Sequence, residues 1–452
     1  MSVRTLLLLG ALLLASPALA QEPDTLPGLL EAAEAHWPEL RADGFALQAA
    51  EARLGEAHYS PFFATWRADA GATIAPGASG TPIFSDQDQL PLDQTWGPVL
   101  QVGVSGAIPL YTGGRIRGAW RAAEAGVRAA ELQREVTLAR VRYDIRRAWF
   151  GLQLALDIEQ MISEGRGKLA GAITKLDQML EEGDPEANPI DRRRLAAALA
   201  EVDARRSEAQ QLRESSMAAL EALTGKRSIV PPECPMEAVA LPEATREELV
   251  RAAEGQRPEL GMLAAAVAAR EANVEVQRGS FIPTVGLGFR AGITWAPHIT
   301  DQQNPFIQDP ANTPSLGAGL FLRWNLDFAG TTFRHRRAEA ELAETRARAE
   351  AAAQGITLEV RLAFEKLEDA RRREEAWGIG ERETRAWFVG AAQGYDVGTL
   401  DPKELIDAMK GYFTARFAHL QAVLELNVAV AHLERVSGER LVPGDQWDPD
   451  CR

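Results

Sequence analysis

Two carboxylates, Glu404 and Asp407, stand three residues apart in a segment of helical period, so they share one helix face. On the residues alone, such a pair is most simply a solvated helix face. The other groups that could do chemistry are badly spaced for it. The six histidines, at positions 36, 58, 298, 335, 419 and 432, include no His-Glu-x-x-His zinc pair. Gly286-x-Gly288 lies inside an alternating segment rather than opening a helix, so it is no dinucleotide loop. Gly225-Lys226-Arg227 lacks the upstream glycine and the Ser/Thr of a phosphate loop. Gly103-Val104-Ser105-Gly106 is mid-strand and cannot be a nucleophile elbow. Cys234 and Cys451 have no His or Cys at ligand spacing. No enzyme, cofactor or metal site is expected.

The elements around these residues are more informative. The chain has 452 residues, 46% hydrophobic and 25% charged, an ordinary balance for a soluble protein. A formal net charge of −15 argues against nucleic-acid binding, which needs a basic footprint. Past residue 20 no apolar run reaches the ~18 residues of a spanning helix. Membrane β-strands escape that test, because they alternate.

The first 20 residues read as a secretory signal peptide. Arg4 precedes an apolar stretch from Leu6 to Ala15, and Ala18-Leu19-Ala20 fits the small-x-small cleavage rule. No cysteine follows the cleavage site, so a lipid anchor is not indicated. Export would permit Cys234 and Cys451 to form a disulfide, or they could be two separate thiols.

An internal repeat organises the rest. Ala70-Gly71-Ala72-Thr73-Ile74-Ala75-Pro76 returns as Ala291-Gly292-Ile293-Thr294-Trp295-Ala296-Pro297, with five of seven positions identical. Pro38-Glu39-Leu40 returns as Pro258-Glu259-Leu260, Gly114 as Gly330 and Gly225 as Gly438. The predicted organisation is a first repeat over 21–225, a proline-rich linker over 226–243, a second repeat over 244–438 and a tail over 439–452.

Each repeat changes its hydrophobic period twice. Leu26–Tyr59 reads helical, and Pro61 is expected to stop it. From Phe62 the period is two: Trp66, Ala68, Ala70, Ala72 and Ile74 form one face, and Arg67, Asp69, Gly71 and Thr73 the other. Similar alternation runs over Leu100–Leu110, Thr284–Trp295 and Ser315–Leu326. Long proline-free helices follow at Arg115–Leu180 and Thr331–Tyr395, with return helices to Leu223 and Val436. A helix of that length reaches ~100 Å. The fold class is α+β, with four β-strands and long α-helical hairpins.

Four strands cannot close a barrel, and an open edge cannot face lipid, where each unpaired backbone group costs several kcal/mol. If the strands enter a membrane, the chain must oligomerise. A soluble sheet explains alternation equally well, but not four faces almost free of charge. A coiled-coil scaffold without a membrane barrel is the alternative, and it has no use for alternating segments ending in aromatics.

The chain resembles the TolC-type outer-membrane efflux proteins over nearly its whole mature length. The carriers are the tandem unit, Trp37-Pro38-Glu39-Leu40 with Arg257-Pro258-Glu259-Leu260, Ser60-Pro61 with Ile282-Pro283, Leu110-Tyr111-Thr112-Gly113-Gly114-Arg115 and Tyr395-Asp396-Val397-Gly398-Thr399. The resemblance implies a homotrimer with a 12-stranded barrel in outer-membrane lipid and a periplasmic helical tunnel. It implies docking to a periplasmic adaptor and an inner-membrane transporter. It also implies a pore constriction built from Tyr395, Glu404, Asp407 and Asp191, with Asp191 hydrogen-bonding near Tyr395, and a ring of carboxylates that selects cations. The hairpin tips, with Gly183, Asp184, Gly398, Thr399 and Leu400, would meet the adaptor. An arginine that locks the entrance in the best-known members falls at Leu400, which departs from the pattern.

Overall fold

A computed structural model describes residues 23–63, 65–78, 92–183, 187–231, 234–241, 243–299, 312–397, 399–400, 402–443 and 446–447. The element order of the first half recurs in the second. Helices α1 (Leu26–His36) and α2 (Pro38–Phe63) precede strands β1 (Arg67–Ala78) and β2 (Leu92–Tyr111), then helices α3 (Arg115–Glu182) and α4 (Pro189–Thr224). The second set is α5 (Arg246–Gln256), α6 (Pro258–Gly279), β3 (Thr284–Trp295), β4 (Pro314–Arg323), α7 (Phe328–Asp396) and α8 (Pro402–Ser437).

Two boundaries differ from the sequence pattern, each for a local reason. The first helical segment is two helices, because Pro38 pushes Trp37 out of the helical region, with ψ 121°. Arg257 before Pro258 does the same, with ψ 120°. Each motif thus makes a corner, and Arg257 then donates to both Glu259 (3.1 Å) and Glu359 (2.6 Å). Conversely, Pro61 does not stop α2, which continues to Phe63. A proline there leaves the carbonyl of Ala57 without its helical donor. The indole Nε1 of Trp120 on α3 donates to that oxygen at 2.7 Å. Phe62 and Phe63 are therefore helical, and β1 begins at Arg67.

Three of the four long helices end where the backbone turns left-handed, while α7 is capped at Val397 with φ −91°. Gly183 closes α3 at φ 74°, Gly225 closes α4 at 71° and Gly438 follows α8 at 73°. Asn188 caps α4, accepting from the Ile190 N–H at 2.9 Å, and Thr245 with Glu248 forms a capping box on α5. α2 and α4 both lie along α3, and α6 and α8 both lie along α7. α3 also packs against α6 and α8, so the helices form a wall in the order α2/α4, α3, α6/α8, α7. Among the described residues no helix is long and apolar enough to cross a membrane.

The main core sits halfway along α3. Trp149, Phe150, Ile145 and Leu152 meet Leu26 and Leu29 of α1, Leu249 of α5, Leu433 of α8 and Trp447 of the tail. The inter-repeat segment straps this core through buried polar groups. Asp157 accepts from the Met236 N–H (2.9 Å), while Asn427 accepts from Val239 N–H (2.9 Å) and donates to Glu237 O (2.8 Å). Cys234 is disulfide-bonded; Cys451 lies outside the described residues, as does the signal segment.

His432 is half-buried on α8, its ring 5.7 Å from that of Tyr143. Burial, with Arg435 beside it, holds its imidazole below the ordinary value. A base depressed in the folded state contributes stability above its unfolded pKa of ~6.5, and this is lost as pH falls. His432→Gln is expected to flatten the acid-side fall in thermal midpoint below about pH 6.5. A melting series across that range checks it; an unchanged slope would refute the assignment.

Candidate functional site

The two hairpin turns lie side by side at one end of the helical wall. Leu169 and Leu176 of α3 and Leu195 of α4 pack with Phe388 of α7 and Ala408, Met409 and Tyr412 of α8. Tyr395, in the last turn of α7, lies under the Lys175 ammonium at 4.7 Å. Glu404 stands in the first turn of α8, where the helix dipole favours an acid. Its Oε1 accepts from the Trp387 indole at 3.3 Å. Asp407 is exposed on the same face one turn on.

Asp191 occupies the first turn of α4 and is buried. Its carboxylate pairs with Arg194 at 3.0 Å on the same helix. Tyr395 and Asp191 share no hydrogen bond among the described residues. An arginine three residues away reaches the carboxylate without crossing between hairpins, and Lys175 covers the tyrosine ring. Gly183 forms the α3–α4 turn; Asp184 and Gly398 lie outside the described residues.

The α7–α8 turn is closed on one carbonyl. Gly394 O accepts from Thr399 N–H (2.8 Å), Thr399 Oγ1 (3.0 Å) and Leu400 N–H (3.2 Å). Leu400 packs over Gly394 where a Cβ would stand. Its apolar side chain gives the tip a hydrophobic clasp.

At the other end of the wall the strands form one antiparallel sheet in the order β1-β2-β3-β4. The registers align Ala68, Val104, Ala291 and Leu316 in one cross-strand row, and Ala70, Val102, Ile293 and Pro314 in the next. These rows belong to an apolar face that is open: Leu316 is 90% exposed and Leu320 74%. Aromatics stand at both ends of it, Trp66 and Trp324 near the helices and Trp96 and Trp295 at the far end. A 12-residue strand such as β3 is about 40 Å long; tilted by ~40°, it covers the ~25 Å apolar band of a membrane barrel wall. The opposite face carries Gly, Ser and Thr with Arg67, Asp69, Arg290 and Arg323.

Sequence reasoning missed Lys175, Trp387 and Arg194. The first two act across a turn or between hairpins, and no spacing signals that.

Residues 249–439 match the family described as outer membrane efflux protein. A search of curated proteins finds no match. Among solved structures, the outer-membrane channel OprN is 22% identical, with a TM-score of 0.72 over 92% of this chain and 91% of that one. The open state of the Neisseria gonorrhoeae MtrE outer membrane channel is 17% identical, with a TM-score of 0.74 over 92% and 89%. The Vibrio cholerae outer membrane protein VceC is 18% identical, with a TM-score of 0.72 over 92% and 96%.

Proposed function

We propose that this chain, which carries an outer membrane efflux protein domain over residues 249–439 and has the fold of TolC-type channels, is one third of an outer-membrane exit duct. The observation that carries this is the sheet: one face apolar and bare, the other polar, both edges free, and helices of ~100 Å attached.

The free edges support ring assembly. Among the described residues β1 pairs only with β2, and β4 only with β3. β1, α2 and α4 make one flank, while β4 and α7 make the other. Both flanks expose large apolar groups, including Phe45 and Tyr59 on α2 and Leu358, Leu362 and Ile379 on α7. Two different flanks that complement each other give head-to-tail contacts, which close into a ring. Three copies supply twelve strands, enough to enclose a channel rather than a filled core.

In this reading the hairpin tips face the periplasm. There a periplasmic adaptor and an inner-membrane transporter would deliver substrate, which the duct passes without bond chemistry. Glu404 and Asp407 from three chains would set a cation-selective acidic ring at the entrance, with Trp387 steadying Glu404. A scaffold gives no reason for the bare apolar face.

The protein is expected to purify only in detergent, as a trimer. A monodisperse monomer without detergent would sink the duct reading. In bilayer recordings, Glu404→Ala with Asp407→Ala is expected to lower the cation-over-anion permeability ratio. An unchanged ratio would remove the ring while leaving the duct.

A further inference from the structure

We propose that the polar face of the sheet is a binding face for multivalent oxyanions that reach it from the barrel end, built on Arg67, Arg290 and Arg323. The inference rests on that face lining a barrel. Arg67 is opposite Ser105, Ser105 opposite Arg290, and Arg290 opposite Gly317. The two arginines thus share one cross-strand row, two strands apart, or about 10 Å between backbones. Ser105 sits between them with a hydroxyl. The adjoining row toward the far end of the strands is Asp69, Gly103, Gly292 and Ser315. Nothing bulky covers the guanidinium groups from there. Arg323 ends β4 on the same face, its guanidinium 5.5 Å over the Phe321 ring.

All three arginines are exposed. Among the described residues none of the three guanidinium groups forms an ion pair or a hydrogen bond. The donors that fit carboxylate, sulfonate or phosphate oxygens in a planar fork are therefore free. Among strand residues with described side chains, Asp69 is the one acid on this face. The face is net positive on a chain whose formal charge is −15. Water-filling alone would be served by the Gly, Ser and Thr already present. Two unpaired arginines in one cross-strand row, with Arg323 about 20 Å further along the same face, stand against the overall charge and point to ligands that carry several negative oxygens. Repetition in three chains multiplies the field, and the confined lumen focuses it.

The test is single-channel recording of the purified full-length protein at about 0.1 M salt, where a Debye length of ~10 Å leaves the field felt. Inositol hexakisphosphate is added to the barrel side. It is expected to interrupt the current, with an apparent affinity at least about tenfold weaker in Arg67→Gln/Arg290→Gln. Arg67→Lys/Arg290→Lys is expected to fall between, since it keeps charge without the fork. Openings by the glutamine variant verify its assembly. If that variant fails to open, Arg323→Gln replaces it, with weaker block expected. Block unchanged by these substitutions, or equally strong from the hairpin side alone, overturns the inference and leaves the duct standing. No conductance from the parent protein overturns both.

Discussion

Val104→Arg is expected to abolish assembly of the protein in the outer membrane. Val104 lies on β2 in the row Ala68, Val104, Ala291, Leu316, near the middle of the apolar face. Its side chain is 41% exposed even without lipid or partners. An arginine on the lipid face of a barrel costs ~2–4 kcal/mol near the midplane. Three copies make that roughly 6–12 kcal/mol per trimer, comparable with the whole stability of a domain. The neighbouring polar face supplies the control. Gln101 lies between Gly71 and Thr294 on that face, so Gln101→Arg adds the same side chain where water would receive it. The measurement is the yield of SDS-resistant trimer from outer-membrane fractions. Equal yields from the two variants would show that the alternation does not separate lipid from lumen.

That prediction rests on a pattern legible from sequence, because a period of two assigns faces without knowledge of partners. Val104 and Gln101 could be placed on opposite faces before any register was known. The boundaries were less legible. Pro61 reads as a stop because a proline interior to a helix orphans a carbonyl; the compensating donor, Trp120, stands 59 residues later. The alternation of the second strand is clear only from Leu100, yet β2 begins at Leu92. Its Pro98 lies opposite Ile74 and keeps the pairing.

The entrance was legible in part for the same physical reason. Glu404 and Asp407 share a face through helical spacing, which is local. Their surroundings are not local: Trp387 reaches Glu404 across a turn, and Lys175 reaches Tyr395 between repeats. Asp191 shows the reverse case. Its expected partner lay on another hairpin, while Arg194, three residues away, takes its carboxylate. Local spacing decides where a short path exists, and the resemblance alone does not override it.

Arg146→Ala is expected to loosen the middle of the molecule more than any other single truncation of a polar side chain there. Arg146 is 8% exposed on α3, among the main core residues. Its Nη1 donates to Glu434 at 2.7 Å, and its guanidinium stacks 4.0 Å over the Trp447 ring. Glu434 in turn accepts from the Leu441 N–H at 3.2 Å. One ion pair therefore joins α3, the end of α8 and a tail that the sequence reading left outside both repeats. Burial pulls the guanidinium below its ordinary value, and the Glu434 carboxylate opposes that shift. Removing the arginine strands a carboxylate whose side chain is 12% exposed, a loss of about 3–5 kcal/mol. Replacing both, as Arg146→Met with Glu434→Leu, removes the stranded charge. It still leaves the Leu441 N–H without its acceptor, which costs about 1–3 kcal/mol. The double variant is therefore expected to be more stable than Arg146→Ala, despite losing more polar contacts. Denaturant midpoints of the detergent-solubilised parent, Arg146→Met, Glu434→Leu and the double variant, combined as a double-mutant cycle, measure the coupling. Additive losses would mean that the tail is held by Trp447 packing alone and that the ion pair contributes nothing to the clamp.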